Sequence, residues 1–212
     1  MYLGRIVAIG MTKEGCNAAM YRVSSRSFPN REARLRNHQV SIMPRPGFEA
    51  DLQKNPYITY NCIRLAGEFA VVSNGSHTDP VAEKVTMGMP VRDAMAFGLM
   101  AMDYEKDAFD TPRIVGAVHR TESIGFLGIV RKDALLVREF KLEPGKVFYI
   151  STYEHNYPAA DFNDPDFRAD GAAEAARFLI DGGIFKGFEH PVTAAAAFAG
   201  AGTDFELAAL TI

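Results

Sequence analysis

The clearest alternation of apolar and polar residues lies between residues 55 and 79, and it predicts a β-hairpin. Two alternating runs, Tyr57–Leu65 and Phe69–Val72, are joined by a three-residue turn around Gly67. The second run ends in the polar segment SNGSHTD at residues 73–79. Small polar loops at strand ends often carry functional groups. The alternative is a turn and a helix cap, with Asp79 as the N-cap and Pro80 as the first helical residue.

Similar patterns elsewhere predict more strands, with helices between and after them. The predicted strands are Tyr2–Gly10, Cys16–Val23, Gln39–Met43, Ile114–Val118, Ser123–Val130, Ala134–Phe140, Val147–Tyr153, His190–Phe198 and Phe205–Ile212. The predicted helices are Pro80–Met87, Pro90–Tyr104 and Ala169–Asp181. Helices grouped between antiparallel meanders favour an α+β layered domain over a parallel βαβ sheet. We expect one domain over residues 1–212.

Composition narrows the class of protein. Of the 212 residues 48% are hydrophobic and 23% charged, which is typical of a soluble globular enzyme. The net charge of −3 gives no reason to expect a nucleic-acid partner. Two cysteines, Cys16 and Cys62, match no metal-binding spacing and are expected to be buried thiols in a reducing compartment. Because no apolar run approaches the length of a membrane span, we expect a cytoplasmic protein without membrane contact.

Arginines and hydroxyl groups alternate between residues 21 and 31, in the segment YRVSSRSFPNR. Guanidinium forks match phosphate oxygens, and the hydroxyl groups of Ser24 and Ser27 would add donors beside Arg22 and Arg26. The alternative is a solvated loop with surface salt bridges. Since Arg22 is predicted to lie on the strand, anion binding is favoured for it, whereas Arg31 and the arginines after it are predicted to be surface residues.

The second predicted helix ends in the densest group of titratable side chains, MDYEKD at residues 102–107. Carboxylates are disfavoured at a helix C-terminus, so helix stability does not explain their presence there. The alternative is a solvated loop that leaves the helix. The sequence has no phosphate-binding Walker loop, dinucleotide fingerprint, HxxxH or CxxC spacing, or GxSxG elbow. The remaining groups suit acid–base chemistry on a phosphorylated small molecule without a cofactor.

Several blocks, in order along nearly the whole chain, resemble the archaeal-type inosine monophosphate (IMP) cyclohydrolase family. They are MYLGR (1–5), YRVSSRSFPNR (21–31), NPY (55–57), YNCIR (60–64), VSNGSHTD (72–79), MDYEKD (102–107), TPRI (111–114), FYISTYE (148–154) and residues 190–198. The resemblance implies a four-layer αββα sandwich like that of the N-terminal nucleophile hydrolases. It also implies closure of the purine ring of a formamido-imidazole-carboxamide ribonucleotide, with no metal or cofactor, by a homo-oligomer.

Within that reaction we assign three hypothetical roles. The 5′-phosphate is held by Arg22 and Arg26 with Ser24 or Ser27, and the carboxamide and formyl groups are oriented by Asn61, Ser73 and Asn74. Tyr60 or Tyr104, with Lys106, donates hydrogen bonds to the formyl oxygen and to the departing water. Glu105 or Asp103 takes the proton from the amide nitrogen. His77 is the next candidate, and a structural role is the alternative for it.

Two other functions stay open. A binding module would bind IMP without turnover, although mere binding would not need the 103–106 cluster. An amide hydrolase of the same fold would need a nucleophile at residue 2. Residue 2 is Tyr2, which counts against that activity.

Overall fold

The computed structural model describes residues 1–200 and 202–212, which form an α+β structure of mainly antiparallel sheets. Thirteen strands occur in the described residues: β1 Arg5–Met11, β2 Asn17–Ser24, β3 Arg31–Arg36, β4 Gln39–Pro44, β5 Tyr60–Ala66, β6 Phe69–Ser73, β7 Arg113–His119, β8 Ile124–Arg131, β9 Ala134–Lys141, β10 Lys146–Ser151, β11 Asn163–Asp164, β12 Pro191–Ala199 and β13 Phe205–Thr211. The α-helices described are α1 Asp51–Lys54, α2 Thr78–Thr86, α3 Val91–Met102 and α4 Ala172–Asp181. Short 3₁₀ helices cover Pro56–Ile58 and Gly183–Gly187.

The strands form two sheets whose pairings are antiparallel. The six-stranded sheet has the order β11-β10-β1-β2-β12-β13, and the seven-stranded sheet runs from β3 to β9 in chain order. Strands β1, β2 and β12 of the first sheet contact the second, α4 packs on the first, and α2 and α3 pack on the second. The predicted α+β class and its antiparallel sheets are therefore confirmed.

Strand alternation divides the apolar residues among three cores. On β2, Tyr21 and Val23 face the core between the sheets, whereas Ala18 and Met20 face the core under α4. A third core, which contains Met95 and Leu99, lies between α2, α3 and the seven-stranded sheet. Because side chains alternate, Arg22 lies on the α4 side of β2 and not between the sheets.

Three predicted boundaries were wrong. Residues 31–36, for which no strand was predicted, form the edge strand β3, which pairs with β4. Helix α2 begins at Thr78 with His77 at its N-cap, and no side chain caps it, so Asp79 and Pro80 lie inside the helix. The strand predicted from Tyr57 begins at Tyr60, because Pro56 opens a 3₁₀ turn instead.

Candidate active site

A cavity of about 630 Å³ opens at one end of the two sheets. Its lining comes from the start of β1, the loop after β2, the start of β3, the 3₁₀ turn before β5 and the loops after α3 and β10. The polar and aromatic residues of this lining are Tyr2, Arg5, Ser25, Arg26, Ser27, Phe28, Arg31, Asn55, Tyr57, Glu105, Asp107, Phe109, Tyr153 and Glu154. Clefts of a few hundred Å³ are typical of small-molecule sites, so this cavity is the candidate active site.

Glu105 brings a buried carboxylate to this cavity. Helix α3 ends at Asp103, whose φ of 54° lies in the region that favours glycine, and the chain then turns back towards the sheets. The Glu105 N–H donates to the carbonyl of Thr111 at 2.8 Å, and the Asp107 carboxylate accepts from the N–H and hydroxyl groups of Thr111. These bonds fix the loop and leave the Glu105 side chain 1% exposed.

Two guanidinium groups flank the Glu105 carboxylate. Arg5 donates from Nη2 to Oε2 at 3.2 Å, and Arg113 Nη1 lies 4.0 Å from Oε1. Oε1 itself has no hydrogen-bond partner. Burial raises the pKa of Glu105, against the opposite effect of the two arginines. Burial lowers the pKa of Arg5, but the Glu105 carboxylate together with Tyr21, Tyr60 and Tyr153 outweighs burial, so that pKa is raised. The carboxylate is thus paired but retains an unused acceptor.

Two tyrosines and a third arginine are buried next to this pair. The hydroxyl oxygens of Tyr21 and Tyr60 lie 2.6 Å apart. Burial raises the pKa of Tyr60, while the charges of Arg31 and Arg5 lower it. Arg31 donates from Nε to the Phe28 carbonyl at 3.1 Å, and burial lowers its pKa. With raised pKa values, both tyrosines keep their protons and serve as hydrogen-bond donors.

The opening of the cavity holds more exposed groups. The Arg26 side chain is 57% exposed, pairs with Glu189 at 3.0 Å and lies 4.3 Å from the ring centroid of Tyr2. Ser27 beside it is exposed and also lines the cavity. An incoming anion would therefore meet a cation and a hydroxyl group that have access to solvent.

The chain resembles proteins of one family over most of its length. The family model described as IMP cyclohydrolase-like protein matches residues 2–203. The chain belongs to the IMP cyclohydrolase-like family. A protein named IMP cyclohydrolase from Methanosphaera stadtmanae is 52% identical over 93% of this chain and 94% of its own length. Proteins of the same name from Methanocella arvoryzae and Methanocaldococcus jannaschii are 49% and 44% identical, covering 93% of this chain and 92% and 93% of their own lengths.

Several residues predicted for the site lie outside the described lining of the cavity, and Arg22 is one of them. It is fully buried beneath α4, donates from Nε to Ser24 Oγ at 2.9 Å, and donates from its two terminal nitrogens to backbone carbonyls. Those carbonyls belong to Leu179, Ile180, Phe185, Phe188 and Glu189. Arg22 and Ser24, which were predicted to bind the phosphate, are outside the described lining of the cavity, because strand alternation directs them to the helix side.

Asn61 also faces away from the cavity, on the side of β5 that contacts α2. Its side-chain oxygen accepts from Gln39 at 3.1 Å and from Ser41 at 2.7 Å, and its nitrogen donates to Asp79 at 2.9 Å. These bonds use its amide group on neighbouring strands and on α2. Asn61, which was predicted to orient the reacting groups, is therefore not among the described residues that line the cavity.

The polar loop after β6 is buried behind β7. Ser73 Oγ bonds the Gly75 carbonyl and the Thr78 hydroxyl, and Asn74 binds the backbone of residues 112 and 114. His77 Nε2 lies 3.0 Å from the Ile114 carbonyl. Burial, and then the charge of Arg113, lowers the pKa of His77 to about 3. Direct substrate contact was predicted for Ser73, Asn74 and His77. All three are fully buried and are absent from the described lining of the cavity.

Of the four residues after α3 that were predicted to be catalytic (Asp103, Tyr104, Glu105 and Lys106), Glu105 alone is among the described residues that line the cavity. Asp103 and Lys106 form an exposed ion pair, which lowers the pKa of Asp103 and raises that of Lys106. Lys106 Nζ also lies 3.3 Å from the ring centroid of Tyr104. These three residues hold one another at the surface, so the structure separates them from the Glu105 carboxylate.

Arg5, Arg31 and Arg113 were missed as functional candidates. Arg5 carries a signal that the sequence does contain, because it shares its strand face with Val7 and Ile9 of the core between the sheets. A charged residue in such a row needs a buried partner. Arg31 was predicted to be exposed, and no local pattern indicates that the second sheet covers it.

Within residues 1–200 and 202–212, no three His, Cys, Asp or Glu side chains are grouped as metal ligands would be. No helix of that same part of the chain is long and apolar enough to cross a membrane.

Proposed function

We propose that this protein is an IMP cyclohydrolase acting as one domain over residues 1–212. It closes the six-membered ring of 5-formamidoimidazole-4-carboxamide ribonucleotide to give inosine monophosphate and water, a step of purine biosynthesis. The observation that carries the proposal is the buried Glu105 carboxylate at the cavity wall, 3.2 Å from Arg5, in a chain 52% identical to a protein of that name. Ring closure needs a proton acceptor and a stabilised oxyanion in one confined place.

The two ends of the cavity suit the two ends of such a substrate. Exposed Arg26 and Ser27 suit a 5′-phosphate, since a phosphate dianion is strongly hydrated and enters from solvent. The inner end, with Glu105, Arg5 and Arg31, suits the neutral carboxamide and formamido groups. Because both reacting groups already belong to one molecule, the protein can lower the barrier by holding them in a near-attack geometry.

The chemistry then proceeds in one addition and one elimination. The carboxamide nitrogen bonds to the formyl carbon and loses a proton to the Glu105 carboxylate. Glu105 passes this proton to the formyl oxygen, which becomes a hydroxyl group on the new ring carbon. In the elimination the formamido nitrogen loses its proton to Glu105 and forms the new C=N bond, while the C–O bond breaks. Glu105 passes this second proton to the leaving hydroxyl group, so water departs and the carboxylate is regenerated.

The developing negative charge on the formyl oxygen needs donors that are already in place. Arg5 and Arg31 offer guanidinium donors at the cavity wall. Tyr60 stays protonated beside them and is held by Tyr21, which supports its role as a further donor. One well-placed donor of this kind contributes on the order of 3 kcal/mol to the transition state.

Three further statements are part of the proposal. The two facing sheets with helices on both outer sides are proposed to be the four-layer αββα sandwich of the N-terminal nucleophile hydrolases. The protein is proposed to lie in the cytoplasm. It is also proposed to be a homo-oligomer, which the exposed apolar side chains of Phe97 and Met100 on α3 support; light scattering of the purified protein measures that state.

The direct test is to incubate chelator-treated protein with the formamido ribonucleotide and follow the absorbance of the product. Rapid formation of inosine monophosphate is expected, and Glu105→Gln provides the matched inactive control. Tight product binding without turnover would establish a binding module instead. Release of ammonia from simple amides would point to the amide hydrolase, and either result would overturn the proposal.

A further inference from the structure

Within residues 1–200 and 202–212, three buried side-chain atoms near Arg113 have no hydrogen-bond partner. They are Glu105 Oε1, Arg113 Nε and His77 Nδ1. An unpartnered buried polar atom costs about 1–3 kcal/mol, so three together require an explanation. The Arg113 side chain links them, because its Nη1 lies 4.0 Å from Glu105 Oε1 and it contributes to the lowered pKa of His77.

The backbone on both sides of Arg113 is fixed by one side chain. Asn74 donates to the carbonyl of Pro112 at 3.0 Å and accepts from the N–H of Ile114 at 2.7 Å. His77 Nε2 lies 3.0 Å from the carbonyl of Ile114. The polar loop after β6 therefore fixes the backbone at the start of β7, where Arg113 lies. The residues of this loop are not among the described residues that line the cavity.

The position of the guanidinium group is restricted as well. A Cβ atom added to Gly75 would lie 2.3 Å from Arg113 Nη1, so only glycine leaves room for the arginine there. On another side the Arg113 guanidinium carbon lies 5.6 Å from the ring centroid of Tyr57, which lines the cavity. Arg113 is thus confined between the loop and the cavity wall, with its charge directed at Glu105.

We propose that Arg113 is a positioning residue for Glu105, held in place by the Asn74–His77 loop. This inference rests on the proposed role of Glu105 as the proton carrier. Arg113 keeps the carboxylate ionised and turned towards the substrate while Oε1 remains free to accept the amide proton. A direct pair with both arginines would instead occupy both oxygens and weaken Glu105 as a base.

The charges around Glu105 set the direction of the expected pH effect. Arg5, Arg113 and Arg31 favour the carboxylate, whereas Asp107 and burial oppose it. Removing Arg113 therefore raises the pKa of Glu105 further. Because turnover requires the carboxylate, the acidic limb of the kcat profile should move to higher pH by about one unit, the lower end of the range for a neighbouring opposite charge.

The experiment measures the pH profile of kcat and the KM of Arg113→Met and Arg113→Lys. We expect the acidic limb of Arg113→Met to lie about one pH unit higher. Where the assay pH falls on that limb, this shift lowers kcat about tenfold. KM should change little, and Arg113→Lys should restore the limb. Arg22→Met, which removes a buried arginine on the α4 side of β2, is the matched control and should leave the limb unchanged.

A second readout separates this inference from the proposed function. The pKa of Glu105, followed by carboxyl ¹³C NMR and assigned with Glu105→Gln, should rise in Arg113→Met even if the protein has no cyclohydrolase activity. If Arg113→Met does not fold, Gly75→Ala displaces the same guanidinium group without changing charge and should also shift this pKa. A folded Arg113→Met protein with an unchanged acidic limb and an unchanged Glu105 pKa would overturn the inference.

Discussion

Arg22 on β2 and Arg113 on β7 are both buried arginines, yet their surroundings differ. Arg22 faces five backbone carbonyls and the Ser24 hydroxyl, and no carboxylate is among its hydrogen-bond partners. Arg113 approaches a carboxylate without a direct bond and keeps an unpartnered Nε. The guanidinium donors of Arg22 under α4 thus have acceptors. Beside the cavity, Glu105 Oε1 and Arg113 Nε have no hydrogen-bond partner among the described residues.

The difference separates structural from functional burial. The carbonyls around Arg22 come from the end of α4 and the 3₁₀ turn after it, where helix ends leave acceptors unpaired. Burial lowers the pKa of Arg22 to about 10, so it stays charged at neutral pH. Around Glu105, by contrast, incomplete pairing leaves groups available to a substrate. A fully satisfied buried charge stabilises the fold, and a partly satisfied one beside a cavity indicates chemistry.

The largest effect should come from removing the proton carrier. In Glu105→Gln the side chain keeps its shape but cannot accept a proton, so kcat should fall by about 10²–10⁴. Steady-state kinetics with the formamido ribonucleotide measures this loss. Asp103→Asn is the matched control, because that carboxylate is exposed and outside the cavity lining, and it should keep nearly full activity. Turnover by Glu105→Gln near the unsubstituted rate would contradict the assignment.

Arg22→Met should act on stability instead of on catalysis. It leaves several buried carbonyls without donors, so the free energy of unfolding should fall by about 3 kcal/mol or more. Urea denaturation measures the loss, and the KM of the folded protein should be unchanged. Arg26→Met, which alters an exposed side chain, should change stability by less than about 1 kcal/mol. If Arg22→Met has a raised KM and normal stability, Arg22 binds substrate and its structural role is contradicted.

His77 should make stability depend on pH. Its folded pKa of about 3 is below the ordinary value, so the neutral ring stabilises the fold above about pH 6.5, and this is lost as pH falls towards 3. The loss has a limiting slope of about 1.4 kcal/mol per pH unit. Denaturation at pH 7 and pH 5 should show a smaller difference for His77→Gln than for the unsubstituted protein. His38→Gln, at an exposed position, should retain the full difference.

The smallest effect should come from the opening of the cavity. Arg26→Ala removes one solvent-exposed cation from the proposed phosphate end, so KM should rise by about tenfold or less, with kcat nearly constant. Raising the salt concentration should reduce the difference between the two proteins, because exposed charges are screened. An Arg26→Ala protein with the unsubstituted KM would exclude phosphate binding by this residue.

The sequence by itself determined most of the secondary structure and the α+β class. Alternation and helical periodicity are local, so strands such as β2 and helices such as α3 were predicted within a few residues of their observed bounds. The family blocks directed attention to Glu105 and Arg26, which do line the cavity. Local sequence also contained the information that Arg22 and Tyr21 face opposite sides of one strand.

Only the tertiary structure decided which polar residues share a site. Arg5, Arg31 and Glu105 come from three separate segments, and they meet because the two sheets pack face to face. The polar loop at residues 73–79 has the composition of a functional loop, but β7 covers it and uses its donors. Burial and hydrogen-bond pairing depend on contacts between distant segments, so a local pattern cannot distinguish a residue that binds backbone from one that binds substrate.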